Sequence, residues 1–479
     1  MKTQIQVLSE QEKHRVHEST LKILANTGVR VETALGRKYL ADAGAQVDES
    51  TRIVKFPRDF VEECLQLAPR EYTLGARRPG WNLQMNTGEC VLMIDGSAPT
   101  VLDHGQVESR PGQFDDWLNA TRLTDVMDDF GVYWGMVEAN DSGEGMDELV
   151  NYWRHLFSNF SKHIQDGIED KDAAPWLLEA LQVVFGDKET IRRTHPYSFL
   201  ICPQSPLTID EVYTDAYLAL VGYDIPVAIM PMPLMGGTAP GNMISTTIQG
   251  NCEVISTLCL LQAAAPMTPI IYAPALATMD PRTGLYGAGR IENGILSMAC
   301  VEMGKYYGLP VEGSGGGTDH YIPSIQAGYE RAISAVLPIL SWPDLLVGAG
   351  LMGGSMVLSL EQLIIDVEVF RMSKHTARGI DCAEEAWLDD VIANVGPGGH
   401  YLEEDSTIKA MRGGEYYHPQ IGHHGPFDSW LDGGQPDLLE EAHQRVQTLL
   451  AEHNPLPLPP DVEAELIQLQ GRAAELAAA

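Results

Sequence analysis

The chain has 479 residues, 44% apolar and 20% charged, a composition typical of a folded globular protein and a length beyond one ordinary domain. Its 32 basic and 66 acidic side chains leave a net charge of −34, a surface that repels nucleic acid and anionic membranes. The seven cysteines are scattered without a CxxC pair, the N-terminus is polar, and the most apolar stretch is broken by Gln262, Pro266 and Pro269, so neither a disulfide scaffold, a secretory leader nor a membrane span is expected, and a cytoplasmic protein is.

Residues 1–90 read as a helical and mixed extension, with helix patterns in QEKHRVHESTLKILANTG, ending at Gly28, and in DFVEECLQLAP, closed by Pro69. A rhythm then starts near Phe130. Short apolar runs (FGVYWGMV, KHIQDGI, YSFLICP, PVAIMPMP, PIIYAP, LPVEGSG and DLLVGAG) alternate with helix-period stretches such as ELVNYWRHLFSNF, APWLLEALQVVF, IDEVYTDAYLALVG, NGILSMACVEMGKYYG and SLEQLIIDVEVFRM. The strand starts recur roughly every 30–43 residues, the length of a strand, a crossover helix and two loops. Seven such units point to an α/β protein built as a (β/α)8 TIM barrel over residues 91–375, because closure leaves no free sheet edge. VLMID, ending at Asp95, is the candidate for the remaining strand, and an open doubly wound sheet is the second choice. Residues 376–479 form a C-terminal extension: a Gly-, Pro- and His-rich loop region, then AEHNPLPLPP and an Ala/Glu/Leu helix.

Three motifs invite chemistry. Gly348, Gly350 and Gly353 in GAGLMGG match a dinucleotide-binding pattern, but the nearby acids Asp366 and Glu368 fall inside a helix and not at the end of a following strand. The better reading is a βα loop whose glycines let a ligand approach the backbone. His418, His423 and His424 cluster near Glu415 and Asp428, yet no H-x3-H helix or cysteine completes a zinc site, so no intrinsic metal or nucleotide is expected. The third motif, LPVEGSGGGTDHYIPSIQ, puts Glu312 at a strand end, where barrel active sites are built, followed by a glycine run from Gly313 to Gly317. No Lys or Arg lies between Lys305 and Arg331, which argues against a phosphate site. From Pro196 to Pro281 there is no Lys, Arg or His at all, while Asp210, Glu211, Asp215, Asp224, Glu253 and Asp280 fall in that span with Tyr272, Met230, Met232 and Met235. Met and aromatic residues at strand ends are often plain core. A barrel mouth carrying acids, aromatic faces and thioethers but few cations would also suit a quaternary ammonium group.

The stretches DGSAPTVLDHG, SRPGQFDDWLNATRLTDVMDDF, PMPLMGGTAPGN, ATMDPRTGLYGAG, MGKYYGLPVEGSGGGTD, QAGYE and VGPGGHYL, taken in order over nearly the whole chain, resemble the trimethylamine:corrinoid methyltransferase family. The resemblance implies a TIM barrel that moves a methyl group from a methylated amine to the cobalt of a corrinoid carried by a partner protein. The chain contains only standard residues, so it is similar to the branch that lacks pyrrolysine and includes glycine betaine and other quaternary amine methyltransferases. On this reading Glu312, Tyr272 and Tyr321 hold the cation together with Trp134 and Met232, and Asp319 and His320 orient the substrate. Gly315, Gly316 and Gly350 give cobalt room to approach. A betaine carboxylate would need a cation that Glu312 cannot supply; Arg290, His320 and Arg331 are the candidates, and glycine betaine itself is in doubt. A homo-oligomer is expected. The competing readings are an NAD-dependent oxidoreductase using GAGLMGG and a non-catalytic protein that binds quaternary amines.

Overall fold

The computed structural model describes residues 3–477. Eight parallel strands form the centre: β1 (Val91–Ile94), β2 (Phe130–Tyr133), β3 (His163–Asp166), β4 (Tyr197–Ile201), β5 (Val227–Ile229), β6 (Ile270–Tyr272), β7 (Glu312–Ser314) and β8 (Leu345–Ala349). Strands β1 to β6 pair in sequence, β7 pairs with β8, and β8 returns to β1. A parallel bridge between Tyr272 and Val311 joins β6 to the start of β7 and closes the ring. The VLMID run is therefore the first strand of a closed barrel, and the open sheet is excluded.

Each strand is followed by a helix: α1 (Phe114–Val126), α2 (Met146–Asn159), α3 (Ala174–Phe185), α4 (Val212–Leu218), α5 (Met243–Ala264), α6 (Ile291–Tyr306), α7 (Ile325–Ile339) and α8 (Leu360–Arg378). Ser324 and Ser359 cap α7 and α8 by accepting the backbone N–H of Ala327 and Gln362, satisfying donors that a helix start leaves open. The strands are apolar on both faces, as parallel strands under helices must be. Met93, Val132, Leu200, Ile271 and Val347 fill the ring, whereas Leu92, Phe130, Phe199, Tyr272 and Leu346 belong to the core under the helices.

The extensions explain why some barrel helices are buried all round. Helix α5 is almost continuously buried from Gly250 to Gln262, because three N-terminal helices (Glu10–Asn26, Ala34–Asp42 and Arg58–Leu67) pack on its outer side. A hairpin formed by Thr73–Leu74 and Leu83–Gln84 plugs the N-terminal end of the ring; Tyr72, Leu74 and Met85 join the inner core, and the Tyr72 hydroxyl donates to the Ile270 carbonyl at 3.0 Å. At the other end of the chain, α9 (Leu438–Glu452) packs on α8 and α10 (Pro460–Ala477) on α2. The Gly-, Pro- and His-rich region between α8 and α9 contains three short helices with no buried residues, where the sequence reads as loop. Among the described residues no helix is long and apolar enough to cross a membrane.

Candidate active site at the barrel mouth

The hairpin covers the N-terminal end of the ring, and the other end, at the carboxyl ends of the strands, is where barrel enzymes carry their chemistry. A cavity of about 570 Å3 lies there. Asp95 follows β1, Trp134 follows β2, Met230 and Met232 follow β5, and Tyr286 reaches in from the loop between β6 and α6. The lining includes no Lys, Arg or His. Asp95 accepts the Ser355 hydroxyl at 2.5 Å and the Gly96 N–H at 2.9 Å, and burial raises its pKa. Gly96 is glycine because the Trp134 indole lies on its backbone: a Cβ there would sit 2.5 Å from the ring.

Trp134 also borders a second cavity of about 550 Å3, on the β2–β3 side. A chain of hydrogen bonds ends in it. Trp117 Nε1 donates to the Tyr133 hydroxyl at 2.7 Å, the Tyr133 and Tyr152 hydroxyls lie 3.0 Å apart, and Tyr152 donates to Asp166 Oδ2 at 3.0 Å. Asp166 ends β3, also accepts the Gly167 N–H at 2.8 Å, and is pushed up to about 6 by burial. Glu138, Glu144 and Glu148 line the same cavity.

Glu312 lies inside the ring, one inward position below Ser314, which does line the first cavity. It is 1% exposed. Gln165 Nε2 donates to its Oε2 at 3.1 Å, and its Oε1 is buried with no hydrogen-bond partner. Burial pushes its pKa up to about 7. The polar line continues across the ring: Ser198 donates to Gln165 Oε1 at 3.2 Å, and His163 Nε2 meets the Ser198 hydroxyl at 2.8 Å.

Several expectations need correction. Tyr272 points out of the ring: its hydroxyl donates to Asn251 on α5 at 2.9 Å and its ring faces Tyr307. Inward positions on β6 fall to Ile271 and Ala273. Tyr321 is 61% exposed and lies against Gly353, outside the lining. His320 turns its Nδ1 to the Ile322 carbonyl at 2.8 Å, and so serves its own loop. Asp319 accepts the Gly289 N–H at 3.0 Å and lies 3.1 Å from Arg290 Nε, while Arg290 and Arg282 both pair with Asp280; these two acids and two cations balance one another beside the mouth. Gly315 lines the cavity, but Gly316 and Gly350 do not. Both have positive φ, and a Cβ at Gly350 would press on Leu363 and Met136, so backbone conformation and packing already require glycine there. Trp134 and Met232 do line the mouth.

The dinucleotide alternative loses its acid. Asp366 is 7% exposed, pairs with Arg331 at 2.5 Å, and accepts the Gly350 N–H at 2.7 Å on one oxygen and Gln362 Nε2 at 2.8 Å on the other, so both its oxygens are engaged inside the protein. His418, His423 and His424 each turn to a backbone carbonyl, those of Met411, Pro426 and Ile421, and do not converge. Asp95 and Tyr286 line the first cavity and Tyr152 and Asp166 the second, and the sequence reading named none of them as site residues. The two aspartates carried a usable signal, since each directly ends a strand run, VLMID and KHIQD.

The family described as Trimethylamine methyltransferase (MTTB) matches this chain over residues 1–477. The chain belongs to that family. Similar relatives are the trimethylamine methyltransferase MttB of Desulfitobacterium hafniense strain DSM 10664 / DCB-2, 28% identical with 96% of this chain and 92% of that one covered, and the glycine betaine methyltransferase of Desulfitobacterium hafniense strain Y51, 29% identical with 96% and 95% covered. The solved monomethylamine methyltransferase MtmB of Methanosarcina barkeri shares the fold, with TM-score 0.50, 12% identity and 92% and 93% of the two chains covered. As a member of the MTTB family the chain is a methyltransferase, built on a closed barrel with one open, cation-free mouth.

Proposed function

We propose that this MTTB-family chain takes a methyl group from a quaternary ammonium compound that lacks a carboxylate and passes it to a corrinoid carried by a partner protein. One observation carries the reading: the mouth combines Asp95, the faces of Trp134 and Tyr286, and the thioethers of Met230 and Met232, with no Lys, Arg or His in the lining. Aromatic quadrupoles and a carboxylate attract a cation that has no N–H to donate, and thioethers are soft, polarisable neighbours for its methyl groups.

Breaking the C–N bond of such a compound leaves the electron pair on nitrogen and releases a neutral tertiary amine, so no proton donor is required. The corrinoid would supply the low-valent cobalt nucleophile to which the methyl group is passed. Gly315, Gly317, Gly348 and Gly354 line the β7–β8 side of the cavity without side chains, which leaves width for the edge of a large flat macrocycle there. What the barrel contributes is position: a methyl group held still in a dry site, in line with its acceptor.

The missing carboxylate follows from charge. Glu312 and Asp95 would repel one, Arg290 is taken up by Asp280 and Asp319, and Arg331 is taken up by Asp366. The test is cob(I)alamin oxidation to its methylated form, followed by absorbance with purified protein. Tetramethylammonium and choline should support it and glycine betaine should not. Activity with trimethylamine and none of the quaternary compounds would overturn the reading, and activity with glycine betaine alone would overturn its carboxylate clause.

A further inference from the structure

Away from both cavities, three side chains from three parts of the chain meet where the C-terminal helix α9 lies on the barrel. His104 comes from the loop between β1 and α1, Glu361 from the first turn of α8, and His443 from α9. One ligand atom from each lies within 4.8 Å of the others. His443 Nδ1 is 2.8 Å from Glu361 Oε1, and His104 Nδ1 is 3.8 Å from the same oxygen. Ligands on a tetrahedral zinc ion stand about 3.3 Å apart, given bonds of about 2.0–2.1 Å, and the two distances bracket that value.

The hydrogen bonding at His104 sharpens the case. Its Nε2 faces Glu440 Oε2 at 3.2 Å, and a carboxylate there draws the ring proton to Nε2. The other nitrogen, Nδ1, is buried without a hydrogen-bond partner. That nitrogen faces the oxygen of Glu361, itself 6% exposed, and His443 Nδ1 approaches the same oxygen, so a cation placed among the three would be bound by all of them. A carboxylate behind a metal-binding imidazole is also the usual way of fixing the ring's tautomer and orientation.

We propose that His104, Glu361 and His443 bind one divalent transition-metal ion, with Zn2+ favoured by the two imidazoles and the carboxylate, and that the ion pins α9 to the barrel. Glu440 orients His104 from behind. The two imidazole planes stack at 3.9 Å with 16° between them, and closure on an ion turns them out of that stack.

The experiment uses the full-length protein, stripped with a chelator and dialysed. Zn2+ alone is titrated by calorimetry, and Co2+ alone by its visible d–d absorption, which is intense only in tetrahedral sites. One equivalent should bind, Zn2+ should displace the Co2+ bands, and the melting temperature should rise on loading. Glu440→Gln should weaken Zn2+ binding about tenfold, and His443→Gln should abolish it; circular dichroism checks that each variant is folded. His424→Gln, in the neighbouring loop, should bind as the unaltered chain does. Two outcomes would overturn the proposal: a folded protein that takes up no Zn2+ or Co2+, or one whose uptake survives His443→Gln and His104→Gln together.

Discussion

The two sides of the barrel mouth are built in opposite ways. Between β7 and β8, backbone packs on backbone. Gly348 has φ +135° and a Cβ there would meet the Gly315 carbonyl oxygen at 1.6 Å, while a Cβ at Gly316 would meet that of Gly348 at 2.7 Å. The buried Arg331 ties this seam together, donating to the Gly316 carbonyl at 2.6 Å and to the Leu351 carbonyl while pairing with Asp366. Between β2 and β3, side chains do the work: Trp117, Tyr133 and Tyr152 pass hydrogen bonds one to the next and end on Asp166. On the glycine side the polar groups that line the first cavity are small hydroxyls, those of Ser314, Thr318, Ser334 and Ser355, whereas Trp134, Tyr152 and Asp166 line the second.

Variants on the two sides should therefore fail in different ways. The largest effect should come from Arg331→Leu, which strands a buried Asp366; a loss of about 3–5 kcal/mol in urea unfolding is expected. Gly348→Ala should follow at about 2–4 kcal/mol, because the backbone conformation and the Gly315 contact both oppose a Cβ. A mild effect from either would mean that the seam is not what holds the mouth.

Glu312 sharpens the comparison through pH. Its pKa in the folded chain is about 7, above the ordinary 4.5, so the folded state holds its proton more tightly than the unfolded chain does. The stability it contributes is whole below about 4.5 and is lost as pH rises toward 7, with a slope of up to about 1.4 kcal/mol per pH unit. Glu312→Gln removes that slope, so its stability relative to the unaltered chain should increase from pH 5 to pH 8 in parallel melts. A constant difference would place the charged carboxylate in a better-solvated site.

Smaller effects belong to the other side. Trp134→Ala should weaken binding of tetramethylammonium or choline by about 0.5–2 kcal/mol, read by calorimetry. Tyr152→Phe should cost about 1 kcal/mol of stability and raise the pKa of Asp166 further, since the carboxylate loses its hydroxyl donor. If Trp134→Ala left binding untouched while Gly348→Ala abolished it without unfolding, the roles of the two sides would be exchanged.

Much of the architecture was legible in the residues. The alternation of apolar strand runs with helix-period stretches named the barrel; of the cation-free span from Pro196 to Pro281, Met230 and Met232 line the mouth, but its six acids and Tyr272 do not. The site residues were read less well. The glycine run after Glu312 attracted attention because glycine marks special backbone, but here that backbone serves contacts between loops. Asp95 and Asp166 each ended a strand run and drew none, because a single acid in a short polar loop is common.

What the sequence by itself determined is the order of strands and helices, the poverty of cations around the mouth, and the family. Only the tertiary structure decided which strand face looks inward. In a soluble sheet the polar face announces the solvent side, but strands covered by helices are apolar on both faces, so alternation carries no sign. Closure of the ring settled it: Ile271 and Ala273 went in, Tyr272 went out to Asn251, and Glu312 stayed inside with Gln165 as its one donor.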